Sequence, residues 1–363
     1  MSRIKIVGAG PSGLSCAIGL AKAGYEVEVH ERNADAGMRW ENSFQAFENA
    51  SEEKDFLFAL REMGIGVNFF CVPQREIEVF GDGKKGTRFS SKEPFLYLIR
   101  RGTAPDTLDQ GLKRQALEAG VELRLNSRLE PKAADVVATG GRTPEGVALE
   151  MVFETDIDDT FTVLLDNSIA PAGYAYLIAH NGYATISTAV VKDLANIERY
   201  FEKAVERLQG IKGFKIRNPR KKGNIVSFYL PRTAVRNGKL HIGEAAGFQD
   251  FLFGFGLRYA IASGWLAARS IMENGDYDEL WRKAFRDRLE AGIFNRFAYE
   301  LGGNMGYGLF MRSARGRDFR DYLGGWFKSS TAKRLLLPLI KLVWKNRGRC
   351  AHESCEWCAP RRS

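Results

Sequence analysis

"RIKIVGAGPSGLSCAIGLAKAGYEVEVHER", residues 3–32, is the stretch on which the fold turns. Ile4, Ile6 and Val7 read as a buried parallel strand. Gly8, Gly10 and Gly13 then form G-x-G-x-x-G. The first glycine allows a tight turn, the second lets the backbone approach a pyrophosphate, and the third lets a helix pack closely on the strand. Leu14, Ala17, Ile18 and Ala21 predict a helix from about Ser12 to Ala23, ended by Gly24. Pro11 and Ser12 stand at its start, where free N–H groups face an anion. "YEVEVHE" is the second strand, closed by Glu31. Its distance from Gly13 is close to the ~20 residues expected of an acid that binds ribose hydroxyls. A lone glycine motif says little; strand, motif, helix, strand and acid in order say dinucleotide site. An acid at Glu31 disfavours a ribose 2′-phosphate. The motif by itself leaves FAD and NAD open.

The composition is that of a globular chain of two to three domains, with 363 residues of which 45% are hydrophobic. The net charge is +9, but the basic residues are dispersed apart from "RNPRKK" (217–222) and the C-terminal stretch. No nucleic-acid recognition motif is present, so an anionic cofactor or a membrane surface is the expected partner instead. No apolar run is long enough to span a bilayer, and the N-terminus does not read as a signal peptide. Five cysteines, mostly clustered, fit a reducing cytoplasm.

Later segments resolve the cofactor by resemblance. "GEAAGFQDFLFGFGLRYAIASGWLAA" (243–268) resembles the flavin motif G-D-A-A-G-x-x-x-P-x-x-G-x-G of flavoprotein hydroxylases and geranylgeranyl reductases. "RRGTAPDTLDQGLKRQALEAGV" (100–121), ending at Val121, resembles the helix leading to the third strand of the same domain. "ADVVATGG", with Thr139 and Gly140, resembles the strand and turn over the adenine half. "APAGYAY" (170–176) resembles the P-x-G-Y-x-W segment of geranylgeranyl reductases. With "GMRWENSFQAFEN" (37–49) these cover roughly residues 1–275. The chain thus resembles the geranylgeranyl reductase branch of the para-hydroxybenzoate-hydroxylase-type FAD-dependent oxidoreductases.

That resemblance implies an α/β fold. An FAD-binding Rossmann-like (GR2-type) domain takes 1–75, 95–147 and 235–275. An inserted antiparallel substrate sheet takes 76–94 and 148–234, a C-terminal helical region 276–349, and a Cys/His tail 350–363. It implies that Gly254, Gly256 and Leu257 start a helix near the flavin ring, and that Glu244 binds the ribityl chain. The family has Asp where Glu244 stands and Pro near Phe251 or Phe253. Arg32, Arg39 and Arg101 are candidates for the adenosine, phosphates or ribityl.

Residues 148–190 alternate, as in an antiparallel sheet with one covered face. "RYFEKAVERL" is a short amphipathic helix, and "NIVSFYLP" (224–231) a return strand. Tyr174, Tyr176 and Phe228 are candidates for an apolar substrate tunnel. No second dinucleotide motif appears, so electrons are expected from transient NAD(P)H or a reduced carrier protein. No residue pattern nominates a proton donor.

"TAKRLLLPLIKLVWKNRGR" (331–349) reads as a basic amphipathic helix, set on an anionic membrane or docked on the core. Cys350, His352, Cys355 and Cys358 offer four soft ligands in nine residues, a set that reads as a Zn site, a redox dithiol or Fe–S cluster, or an unliganded tail. The expected function is reduction of C=C bonds in an isoprenoid lipid by a cytoplasmic, peripherally membrane-bound flavoenzyme. The alternatives are an FAD monooxygenase of an aromatic or polyketide-like substrate, and a non-catalytic flavin- or metal-binding partner of a membrane complex.

Overall fold

The computed structural model describes residues 3–83, 85–141, 143–343, 352, 355 and 356. Its helices are α1 (Pro11–Lys22), α2 (Phe56–Glu62), α3 (Leu108–Glu118), α4 (Ile197–Lys212), α5 (Leu257–Glu273), α6 (Tyr277–Trp281), α7 (Asp287–Ala314), α8 (Phe319–Phe327) and α9 (Thr331–Val343).

The α/β expectation holds. Strand Ile4–Val7 pairs in parallel with Val27–His30 and with Val136–Val137. Glu122–Arg124 and Lys239–His241 extend this sheet to either side, again in parallel. Such a sheet is buried on both faces, which is why Ile6 and Val29 are fully enclosed. Helix α1 crosses from the first strand to the second and packs on α5. The two helices touch because Gly264 has no side chain: a Cβ there would lie 2.2 Å from the Ser12 carbonyl oxygen.

A second sheet has seven strands and draws on residues 76–90 and 146–226. It is antiparallel except where Thr160–Leu164 runs parallel to Glu76–Phe80. Alternation sorts its side chains. Leu149, Met151, Phe153 and Leu177 turn to α4 and form their own core with Phe201 and Leu208. The opposite face looks toward the first domain, so both faces are covered where one was expected. The return strand is Arg217–Val226 and not 224–231. It is an edge strand, and its exposed basic run keeps that edge from pairing with another chain. Phe228 therefore lies beyond the strand, in the main core.

The C-terminal helices cap the space between the two sheets. Phe319 of α8 stacks on Phe89 at 4.8 Å, and Leu323 and Phe327 are buried beside it. The buried side chains of helix α9 are Leu337 and Ile340. No helix among the described residues is long and apolar enough to cross a membrane.

Candidate functional site

The turn after the first strand sets the site. Gly8 has φ +104°, and a Cβ on it would meet the Ala138 carbonyl oxygen at 2.4 Å. A Cβ on Gly13 would meet the Gly8 carbonyl oxygen at 2.0 Å. These two glycines are fixed by packing. Gly10 differs, because a Cβ there meets nothing within 4 Å; it faces open space in a cleft of about 610 Å³.

Pro11 and Ser12 of α1 form one wall of that cleft, with Glu31 and Arg32 at the end of the second strand. Thr139 and Gly140 lie opposite. Gly254, Gly256 and Leu257 close the far end. Helices α1 and α5 both begin on glycine with no side-chain cap. By contrast α2, α3, α6 and α8 are capped by Asp55, Thr107, Asp276 and Asp318. The uncapped N–H groups at the cleft are thus left for an anion. Glu31 is held in place: its carboxylate accepts from the Ala9 N–H at 3.0 Å and from Asn33 Nδ2 at 2.7 Å. Two helix N-termini, an open glycine and a fixed acid fit the pyrophosphate and ribose of a dinucleotide.

Two sequence candidates turn out to be each other's partners. Arg39 Nη1 donates to Glu244 Oε2 at 2.9 Å, and Arg39 also bonds Asn224 Oδ1 and the Ile225 carbonyl. They bridge the cleft to the edge of the second sheet. Arg101 lines the cleft, but its guanidinium is committed to a buried Asp109 at 2.8 and 2.9 Å and lies over Trp40. Val121 is not at the cleft. It is buried below α3, where its N–H bonds the Ala116 carbonyl, because the chain turns into the sheet at that point. Gly13 sits beneath the cleft as a packing residue.

A second, apolar cavity of about 240 Å³ opens from the cleft, and the two share Arg39, Trp40, Gln45, Gln249 and the Gly256–Leu257 turn. Its floor is the inner face of the seven-stranded sheet, with Tyr174, Tyr176 and Ile178; its roof is Phe310, Phe319, Leu323 and Phe327 from α7 and α8. Phe228 borders it, tilted on Phe251 at 5.2 Å. Tyr174 donates its phenol to the Phe253 carbonyl at 2.6 Å. Burial pushes both tyrosine phenols above their ordinary range.

Sequence reasoning missed Trp40, Gln45, Gln249 and the α7–α8 aromatics, which carry no motif. It also missed Glu150, although the alternation of "VALEMVFETD" places Ala148, Glu150 and Val152 on one face. Glu150 lines the cavity at 3% exposure, its Oε1 has no hydrogen-bond partner, and burial pushes its carboxyl up to about 7.

Of the four Cys/His candidates, His352 and Cys355 are described. Cys350 and Cys358 lie outside the described residues. His352 stacks on Tyr229 at 4.0 Å. Cys355 is buried and bridges Pro231, and the next residue, Glu356, ion-pairs with Arg286. Among the described residues no three His, Cys, Asp or Glu side chains come together to hold a metal. Residues 352, 355 and 356 of the tail are docked on the core.

Fold and cleft together define a two-part protein: a Rossmann-like dinucleotide-binding half, and a sheet-and-helix half that encloses a cavity beside it. Comparison with known proteins agrees with this. Residues 6–52 match the NAD(P)-binding Rossmann-like domain family. An uncharacterized protein of Methanosarcina barkeri is 26% identical over 149 residues, covering 39% of this chain and 37% of that protein, so the match spans well under half of either. The fold is similar to that of a geranylgeranyl bacteriochlorophyll reductase-like protein of Thermoplasma acidophilum, with TM-score 0.69, 18% identity, and 93% and 96% of the two chains covered. It is also similar to a flavin-dependent brominase, with TM-score 0.64, 19% identity, and 94% and 99% covered. A 2-methyl-3-hydroxypyridine-5-carboxylic acid oxygenase shares it at TM-score 0.54 and 13% identity, covering 88% of this chain and 94% of that one.

Proposed function

We propose that this chain is an FAD-dependent oxidoreductase that reduces carbon–carbon double bonds of an isoprenoid lipid. The observation that carries the proposal is the apolar cavity joined to the far end of the dinucleotide cleft. A hydrocarbon chain is bound by burial alone, and a passage walled by aliphatic and aromatic side chains suits it. The fold is one that a geranylgeranyl reductase-like protein also has.

In this proposal Gly8–Ser12 and the start of α1 hold the FAD pyrophosphate, and Glu31 holds the ribose. The Arg39–Glu244 pair and the uncapped start of α5 border the flavin end. FAD supplies a hydride for the double bond when reduced. Tyr174, Tyr176, Phe228 and the α7–α8 aromatics keep water out and align the lipid. Electrons reach the flavin from NAD(P)H in transient contact or from a reduced carrier protein. Helix α9 rests on an anionic membrane, where such a lipid partitions.

The test is anaerobic. The bound flavin is reduced chemically, and a panel of polyprenyl lipids is added. The expected result is return of the oxidised flavin spectrum, with the lipid two hydrogens heavier by mass spectrometry. Reoxidation by dioxygen alone, with hydroxylation of an aromatic or polyketide-like compound, would replace this function with a monooxygenase.

A further inference from the structure

Saturating an isolated double bond needs a proton as well as a hydride, and the cavity has few groups able to give one. Tyr174 already donates to the Phe253 carbonyl, and burial weakens the acidity of both Tyr174 and Tyr176. Among the described residues no cysteine lines the cavity. Two of the three lining carboxylates are engaged. Glu48 accepts from the Ala50 and Ser51 N–H groups and from Ser51 Oγ. Glu244 accepts from Arg39. The third is Glu150.

Glu150 sits mid-strand in Gly146–Glu154, opposite Ser187 on one neighbour and Lys222 on the other. The titratable groups that face it are Arg101, Lys222 and Tyr176, and hydrogen bonding from Ser43 and the Glu41 backbone also pulls the carboxyl down, by less than burial raises it. Neither cation is turned to it. Lys222 Nζ bonds the Met38 carbonyl and Glu41 Oε1, while Arg101 is bound to Asp109. Burial therefore prevails over attraction, and the carboxyl holds a proton near neutral pH. Glu150 lines an apolar cavity and keeps a buried oxygen without a hydrogen-bond partner, which is costly unless the acid has a use.

We infer that Glu150 is the proton donor of the reaction, protonating the alkene carbon opposite the one that accepts the hydride. The inference rests on the double-bond reduction proposed above. The Glu150 O–H bond breaks and a C–H bond forms with the alkene π electrons. The hydride supplies the other hydrogen and both reducing electrons, drawn from reduced flavin and restored by its external donor. Glu150 is left as a carboxylate and takes its proton back from water.

The test uses the full flavin-loaded protein and Glu150→Gln, which keeps the shape of the side chain. Infrared spectroscopy, with no turnover, should show a protonated-carboxyl carbonyl band that disappears as pH rises through about 7. That band should be absent from E150Q. With a lipid that the wild type reduces, reoxidation of pre-reduced flavin should slow by about 10²–10⁴-fold in E150Q. Lipid KM should stay near the wild-type value. E150D, which keeps an acid, should recover part of the rate. The wild-type rate should fall above pH 7 and the E150Q rate should not. Wild-type speed in E150Q, or a Glu150 band missing at pH 5, overturns the role of Glu150 and leaves the reductase standing. A wild type that reduces no lipid overturns both.

Discussion

The cleft and the cavity meet at Gly256–Leu257, yet they are built by opposite means. The cleft is framed largely by backbone: glycines at fixed spacing, uncapped helix starts and one acid, with the first strand–helix–strand unit supplying one wall. The cavity is made by side chains from strands and helices scattered between residues 39 and 327. The contrast teaches that a site built from backbone tolerates almost no change in its frame, whereas a site built from side chains changes character while the frame stands. Each prediction below presses on that difference.

The largest effect is expected inside the glycine motif itself. Gly13→Val puts side-chain atoms where the Gly8 carbonyl already lies, so the first crossover cannot close. A loss above about 4 kcal/mol is expected, seen as insoluble or unfolded protein. At Gly10 an added Cβ meets nothing within 4 Å, so Gly10→Val is expected to fold. It should melt within a few degrees of wild type and yet purify without flavin. A folded Gly10→Val protein that keeps stoichiometric flavin would break the assignment of the cleft.

The cavity responds through charge. The Glu150 carboxyl lies near 4.5 when unfolded and is raised to about 7 when folded. The folded state therefore binds more protons between those values, and stability falls as pH rises through the window. The deficit above pH 7 approaches roughly 3 kcal/mol. Glu150→Gln should remove the slope, gaining stability at pH 8 relative to wild type and little at pH 4. Urea unfolding at the two pH values measures it, and parallel curves for both proteins would contradict a buried, proton-holding Glu150.

This asymmetry also explains what the sequence disclosed. Gly8, Gly10, Gly13 and Glu31 were legible because a turn, a close approach and a strand end each demand one residue type at one spacing. The sheet was legible as alternation. On its inner face Tyr174 and Tyr176 were named as tunnel candidates, but Phe161 and Val163 were not, because they look the same against a core as against a ligand. Glu150 was a charged letter on that face, and pairing its parity with burial would have found it. Arg39 and Glu244 were each read as cofactor contacts; their pairing depends on a long-range approach that no local pattern encodes. Val121 was misplaced because resemblance fixes a position along the chain and not the direction in which a side chain points.

The bridge between the two regions should matter less than either. Arg39→Ala removes bonds to Glu244, Asn224 and the Ile225 carbonyl. The pair is partly exposed, at 36% and 21%, so solvent screening limits its contribution to about 1 kcal/mol. Flavin retention should drop while urea unfolding shifts slightly. A loss above about 3 kcal/mol would show that cleft and cavity fail together and that the contrast between them is false.

The smallest effect on stability belongs to α9. Its inner residues Leu337 and Ile340 are buried, whereas Leu335 and Leu339 stand 72% and 59% exposed. Its cations are tied down: Lys333 bonds the Trp326 and Lys328 carbonyls, and Arg334 bonds Asp287. Partial burial lowers the Lys333 ammonium to about 8. The outward leucines of α9 are the surface through which the membrane contact proposed above would be made. Leu335→Ser with Leu339→Ser should change stability by less than about 0.5 kcal/mol, because neither side chain is packed. The same double change should abolish co-sedimentation with phosphatidylserine vesicles and leave the flavin spectrum intact. If wild type ignores the vesicles, or the variant binds them equally well, the outward leucines serve some contact other than lipid, and the substrate must reach the cavity through water.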